Sequence, residues 1–436
     1  MRILSHLTLG VALLTGTALL VPAEPVEAKK KKKKKKGKAE KDPYAISVSK
    51  EFQPAYKLAA DALAVGDLAS AEANITAAEA FATTADDRFA IGSVRLNIGT
   101  AKKDNELRRR GINEMLATGR TSPAKVPVFT FYSGLFAYAA KDYATAIPQF
   151  KEAIKLGYTK GGIFLNLAEA NFNTKAYAEG LHYLDQAIAL NQAEGKPVPQ
   201  AWYQRGAGIS QRSKDKALQA AWMLRLVKAF PKPEFWRNAL YSYRNTTSLS
   251  SQENLDLMRL LRKTGGMTSQ RDYGEYVDAA DTRSLPGEVL AVINEGLADG
   301  VFDADDDYSK EVKAEVSSRV QDDKASLPAS EKDALKSANG KIAMATADAY
   351  LGYGNFAKAT ALYAAAVDKG GVDANRANMR AAISMVGAGD LAAAKAKFAT
   401  VTGKRAGISK LWTAWIDSQM KKEAAPLAAE TATPAS

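Results

Sequence analysis

One spacing recurs along this chain. Tyr143 and Tyr177, Phe150 and Leu184, and Ala153 and Ala187 are each 34 residues apart. The segments around them share a pattern: a turn, a large residue, a small residue three later, and a large residue four after that. It reads Asp142-Tyr143, Ala146, Phe150, Ala153 in one copy and Ala176-Tyr177, Gly180, Leu184, Ala187 in the next. Further copies begin at Gly66-Asp67-Leu68, Gly354-Asn355-Phe356 and Gly389-Asp390-Leu391. Positions three and four apart share one face of a helix, so the small residue lets two helices approach and the large one fills the adjoining groove. A period of this length marks stacked helical pairs, each unable to bury its apolar face alone.

The same frame extends upstream. Tyr132, Gly134 and Tyr138 precede Tyr143, while Leu167, Ala168 and Phe172 precede Tyr177. On these residues the chain resembles the tetratricopeptide repeat family, here as an exported bacterial member. The resemblance implies an all-α fold, an α-solenoid of helical hairpins with about eight to nine units, several of them degenerate. Further pairs are expected over Arg88–Gly119, Trp202–Phe230, Phe235–Lys263 and Tyr273–Asp299, turning near Asp104, Lys214, Thr246 to Ser251, and Pro286. The family's closing proline appears only as Pro231.

The predicted organisation is a signal peptide at 1–28, a disordered lysine-rich linker at 29–49 and an N-terminal array at 50–300. An acidic, degenerate helical connection follows at 301–340, then C-terminal repeats and a capping helix at 341–421, and a disordered tail at 422–436. Leu411, Trp412, Trp415 and Ile416 form the stripe of the capping helix, which shields the last repeat.

Arg2, the apolar stretch Ile3 to Val21 and the small-residue sites at Ala23 and Ala28 read as an export signal, with cleavage after Ala28. Export places the chain in a bacterial periplasm or cell envelope. An uncleaved segment anchoring it to the membrane is the alternative, because positive charge directly after the apolar stretch resists translocation. That charge is an unbroken run: Lys29, Lys30, Lys31, Lys32, Lys33, Lys34, Lys35 and Lys36. Like charges with nothing apolar to bury do not fold. The run is either a solvated leader or an electrostatic tether to anionic lipid or an envelope polymer, each lysine contributing roughly 1 kcal/mol at a charged membrane. The whole chain carries a net charge of +12, but most of it sits in this segment. The repeats are near balance, so no specific nucleic-acid surface is expected.

Catalytic chemistry has little to build on. There is no cysteine, and of two histidines His6 lies in the signal and His182 beside Tyr183 on a repeat helix. Zinc sites and Ser-His or Cys-His nucleophiles need more than this. Asp303 to Asp307 opens like a calcium loop, but Tyr308 replaces the required glycine and Ala314 the closing glutamate. No cofactor or metal is expected.

The leading expectation is therefore a non-catalytic scaffold for protein or peptide partners. The alternatives are a polyanion-binding module working through the lysine run and an enzyme with an unfamiliar site. First helices line the concave side of stacked pairs. This puts Phe131, Leu135, Tyr138, Leu165, Asn166, Glu169, Phe172, Trp202 and Arg205 on a candidate groove. Of the family's terminal-carboxylate clamp, only Asn166 has a counterpart here.

Overall fold

The computed structural model describes residues 43–160 and 162–431, with side chains as far as Lys422. The signal, Lys29 to Lys36 and the last five residues lie outside the described residues. The chain divides between Ala187 and Ile188 into two units, and all regular structure among the described residues is helical. The all-α class and the stacked helical hairpins are thus what this sequence forms.

In the first unit α1 (Gln53–Ala64) pairs with α2 (Leu68–Ala78), α3 (Ala85–Lys102) with α4 (Asn105–Ala117), and α5 (Val126–Ala139) with α6 (Tyr143–Lys155). Helix α7 (Ile163–Asn173) leads into α8 (Tyr177–Ala193), within which the division falls. One local rule builds the turns. A residue with left-handed backbone ends the first helix, and an aspartate next to it caps the second. Lys141 has φ 62°, and Asp142 then accepts from the Thr145 N–H at 3.1 Å. The Asp142 N–H reaches back to the Ala137 carbonyl at 2.9 Å, closing the first helix. The pairs Gly66-Asp67, Lys103-Asp104, Lys214-Asp215 and Gly389-Asp390 repeat the arrangement. Such a side-chain cap satisfies an orphan N–H of the helix start and is worth about 1 kcal/mol.

Small residues set how closely the helices approach. A Cβ on Gly111 of α4 would stand 2.5 Å from the Gly92 carbonyl oxygen of α3, and one on Gly92 would stand 2.7 Å from that of Gly111. Ala146 and Ala153, the small positions of the clearest repeat, are both 0% exposed. Around them Phe131, Phe150, Ile163 and Leu167 form one apolar cluster, with Tyr138, Tyr158 and Tyr183 against it.

The second unit continues with α9 (Gln200–Arg212), α10 (Lys216–Ala229), α11 (Pro233–Thr246), α12 (Ser251–Lys263), α13 (Gln270–Ala280) and α14 (Pro286–Ala298). Then come α15 (Asp307–Lys336), α16 (Lys341–Gly352), α17 (Phe356–Lys369), α18 (Ala374–Gly387), α19 (Leu391–Phe398) and α20 (Ala406–Thr431). The stretch at 301–340, where the repeat pattern fades, is mostly the 30-residue α15, packed against α14 and α16. Helix α20 covers α19 and also reaches back to α10 and α12. It runs to Thr431, past residue 422, where the composition predicts the disordered tail to begin.

A buried ionic network holds this unit together. Asp256 of α12, wholly buried, accepts from Arg380 of α18 and from Arg405, both at 3.1 Å. Its backbone carbonyl accepts the Trp412 indole N–H of α20 at 3.1 Å. Arg380, also fully buried, bonds Asp348 of α16 at 2.6 Å. Arg259 grips Glu288 of α14 through two nitrogens, at 2.8 and 2.7 Å. Burial pushes the Glu288 and Asp348 carboxyls up, but the charges and hydrogen bonds around them, led by Arg259 at Glu288 and by Arg380 and Arg376 at Asp348, together outweigh it and hold them below the usual range.

Candidate functional site: an arginine-lined cleft

The residues expected on the groove divide between the two units, and in the first unit three of them are buried. Phe131 is 2% exposed, stacked on Tyr158 at 4.6 Å and tilted against Phe150 at 5.9 Å. Phe172 is buried against Gly180, and Asn166 is buried as well. These three correct the expectation: an aromatic on a first helix fills the space between helices as readily as it lines a groove, and sequence spacing is the same in both cases. Tyr138 and Leu165 are half-buried, Tyr138 lying edge-on to Tyr143. Trp202 and Arg205 are half-buried and belong to the second unit. His182 is exposed, against Tyr183 and beside Gln186. In the acidic run, Asp306 caps α15 by accepting from the Ser309 N–H, and Asp305 pairs with Lys310.

A different surface stands out in the second unit. Helices α9, α10, α11 and α13 enclose an open cleft of about 890 Å³. Helix periodicity places its lining. Gln204, Gly208 and Gln211 lie on one stripe of α9, and Gln219, Met223 and Leu226 on one stripe of α10. Arg237, Tyr241 and Arg244 form a stripe of α11, with Asn238 and Asn245 beside it, and Arg271 stands at the start of α13. Among the described residues, no acidic one lines this cleft. An adjoining hollow of about 550 Å³ shares Arg244 and Arg271 and carries Glu275 and Asp278.

The α11 stripe is held from behind. The Tyr241 ring lies between two guanidinium groups, 4.7 Å from Arg237 and 4.4 Å from Arg244, within cation–π range. Wholly buried Asp272 accepts from the Tyr241 hydroxyl, from Arg237 and from the backbone N–H groups of Thr268 and Ser269. Arg237 also donates to the Gly266 carbonyl at 3.0 Å. Glu275 pairs with both Arg244 and Arg271. Burial, followed by the like charges of Arg271 and Arg237, holds the Arg244 guanidinium below its ordinary value. The signal in the sequence was Arg237, Tyr241 and Arg244 at helical spacing, which reads equally well as a solvated face.

No family model and no curated protein matches the chain. Among solved structures, similarity is found to Pseudomonas aeruginosa PilF, at 17% identity over 57% of this chain and 97% of that one, TM-score 0.23. The TPR2AB domain of yeast Sti1, solved with pHSP90, gives 16% identity over 69% and 99%, TM-score 0.22. The Cut9–Hcn1 hetero-tetramer gives 12% over 83% and 66%, TM-score 0.22.

Proposed function

We propose that this chain is an exported, non-catalytic scaffold that holds a protein partner, with α9, α11 and α13 presenting the binding surface. The cleft carries this reading. It is open, rich in amides and arginine, and offers hydrogen-bond donors along three helices. Its ionisable side chains are three arginines and Tyr241; among the described residues no histidine, carboxylate or lysine, the usual general acids and bases, lines it. Partner capture tests it. A photo-crosslinking residue at Asn238, exposed on the cleft, should trap one defined protein in cells, and the same residue at exposed Lys313 should not. No crosslinked species from Asn238 would remove the reading's support.

The periplasm or cell envelope is the proposed location, supported by the N-terminal sequence. Sequencing the mature protein should find Lys29 first. An intact Met1 in the membrane fraction would favour the anchored alternative.

A further inference from the structure

We infer that the occupant of this cleft is an extended acidic segment of a protein, with carboxylates about three residues apart. The inference rests on the scaffold reading and names the chemistry of its partner.

Three arginines and, among the described residues, no acid line the cleft; Asp272 and Glu275 behind them offset two of the three charges, and the remaining positive charge favours an acidic occupant. Two of the three arginines are fixed before anything binds. Tyr241 separates Arg237 from Arg244, while Asp272 and Glu275 hold them from behind. These anchors use one terminal nitrogen of each arginine, and the remaining nitrogens make no hydrogen bond among the described residues. A pre-positioned guanidinium with open donors takes a carboxylate through two parallel bonds. Burial, and after it the like charges of Arg271 and Arg237, hold the Arg244 guanidinium below its ordinary value, and an incoming anion offsets that repulsion.

Spacing defines the form of the segment. Arg237 and Arg244 stand seven residues apart on one helix, about 10 Å along its axis. A polyproline-type strand brings its side chains back to one face every three residues, over about 9 Å. Glutamates or aspartates three apart on such a strand therefore meet the two arginines in turn. Gln204, Gln211, Asn238 and Asn245 supply amides for the unpaired backbone of that strand. A lone phosphate would fill only a small part of about 890 Å³ and leave those amides unused. The acids Glu275 and Asp278 of the adjoining hollow confine the attraction to the first cleft.

The test measures fluorescence anisotropy of a labelled peptide with glutamate at every third position, titrated with the full chain. Two control peptides carry glutamine at those positions or the same glutamates side by side. The spaced peptide should bind at least roughly tenfold tighter than the glutamine peptide, the effect of one charge-assisted bond or more. Arg244→Gln should remove most of that preference. Asn238→Asp changes one exposed side chain, leaves the arginines and the fold in place, and should weaken binding comparably. The lysine run is present in every variant, so its contribution cancels. The inference is overturned if spaced and glutamine peptides bind alike, or if both variants bind as the parent does. Full displacement by inorganic phosphate at millimolar concentration would reassign the site to free phosphate. Equal binding of clustered and spaced glutamates would overturn the spacing. A partner crosslinked at Asn238 and still captured by Arg244→Gln would sink this inference and leave the scaffold standing. Peptide binding without any crosslinked partner would sink the scaffold reading and leave only the cleft's preference for spaced carboxylates standing.

Discussion

The two units solve the same packing problem with different chemistry. In the first, helices approach through Gly92, Gly111, Ala146 and Ala153, and aromatic rings fill the grooves. Arg95 of α3 is buried there against Glu79 and Glu114, and other charged pairs join turns and helix ends, as Arg109 joins Asp142. In the second, arginines and carboxylates enter the interior, and Asp256 alone joins α12, α18, the Arg405 turn and α20. The clearest tandem repeats lie where packing is apolar, and the pattern is degenerate across much of the ionic unit. An apolar interface tolerates exchange of one aliphatic group for another, whereas a buried ion demands one partner in one place.

The five tryptophans make the comparison measurable. Trp202, Trp222, Trp236, Trp412 and Trp415 all lie in the second unit, so indole emission follows that unit while far-ultraviolet circular dichroism follows both. The largest effects should come from emptying a key position in each. Arg380→Leu leaves Asp256 and Asp348 buried without their shared partner and should destabilise the second unit by about 3–5 kcal/mol. The indole transition should shift while part of the dichroism transition stays in place. An unmoved indole transition would mean the network contributes nothing.

Phe131→Ala should act on the other unit by a comparable amount, about 3–5 kcal/mol, because it opens a cavity against Phe150 and Tyr158. Here dichroism should change and indole emission should not. Half-buried Tyr138→Ala should cost less. Equal losses at the two sites would show that burial does not separate them.

Overpacking comes next. Ala146→Phe should cost about 1–3 kcal/mol in the first unit, and an unchanged melt would contradict the close approach there.

The smallest effect is with acid. Burial pushes the Asp87 carboxyl up, but hydrogen bonds from Ser49 and Thr84 outweigh this and lower it from 3.8 to about 2. A depressed carboxyl stabilises the folded state above its unfolded value, and that contribution disappears as pH falls through the folded one. The first unit should therefore lose stability between about pH 4 and about pH 2, and Asp87→Asn should flatten that decline. A parent protein with no decline over this range would rule out the role given to Asp87.

The hairpins were legible because their signals are local. Asp142, Tyr143 and Ala146 lie within one turn and the helix it starts, and the expected turns near Asp104, Lys214 and Thr246 are where α4, α10 and α12 are set off. The ionic network was not legible, because its members are far apart in sequence. Arg380 and Asp256 are separated by 124 positions, and a charged residue on a helix ordinarily faces water. A weak signal did exist: Asp348 and Arg380 each stand alone among small and apolar neighbours. The groove failed for a related reason. Phe131 and Tyr138 share the face of α5, and sequence does not tell which of them the next hairpin covers.

The long reach of Asp256 also sets an order of events during synthesis. Each hairpin of the first unit closes between neighbouring stretches of chain, and local contacts form early and fast. Asp256 meets Arg380, Arg405 and Trp412 across 124, 149 and 156 positions. A ribosome that has made α12 has thus made a carboxylate that has Arg259 beside it on the same helix but still lacks Arg380, Arg405 and Trp412. The first unit completes while translation continues, and the second waits for almost the last of its residues. A transcript cut short before Arg405 yields a finished first unit joined to a second that lacks its closing contacts, the kind of half-built chain that proteases remove.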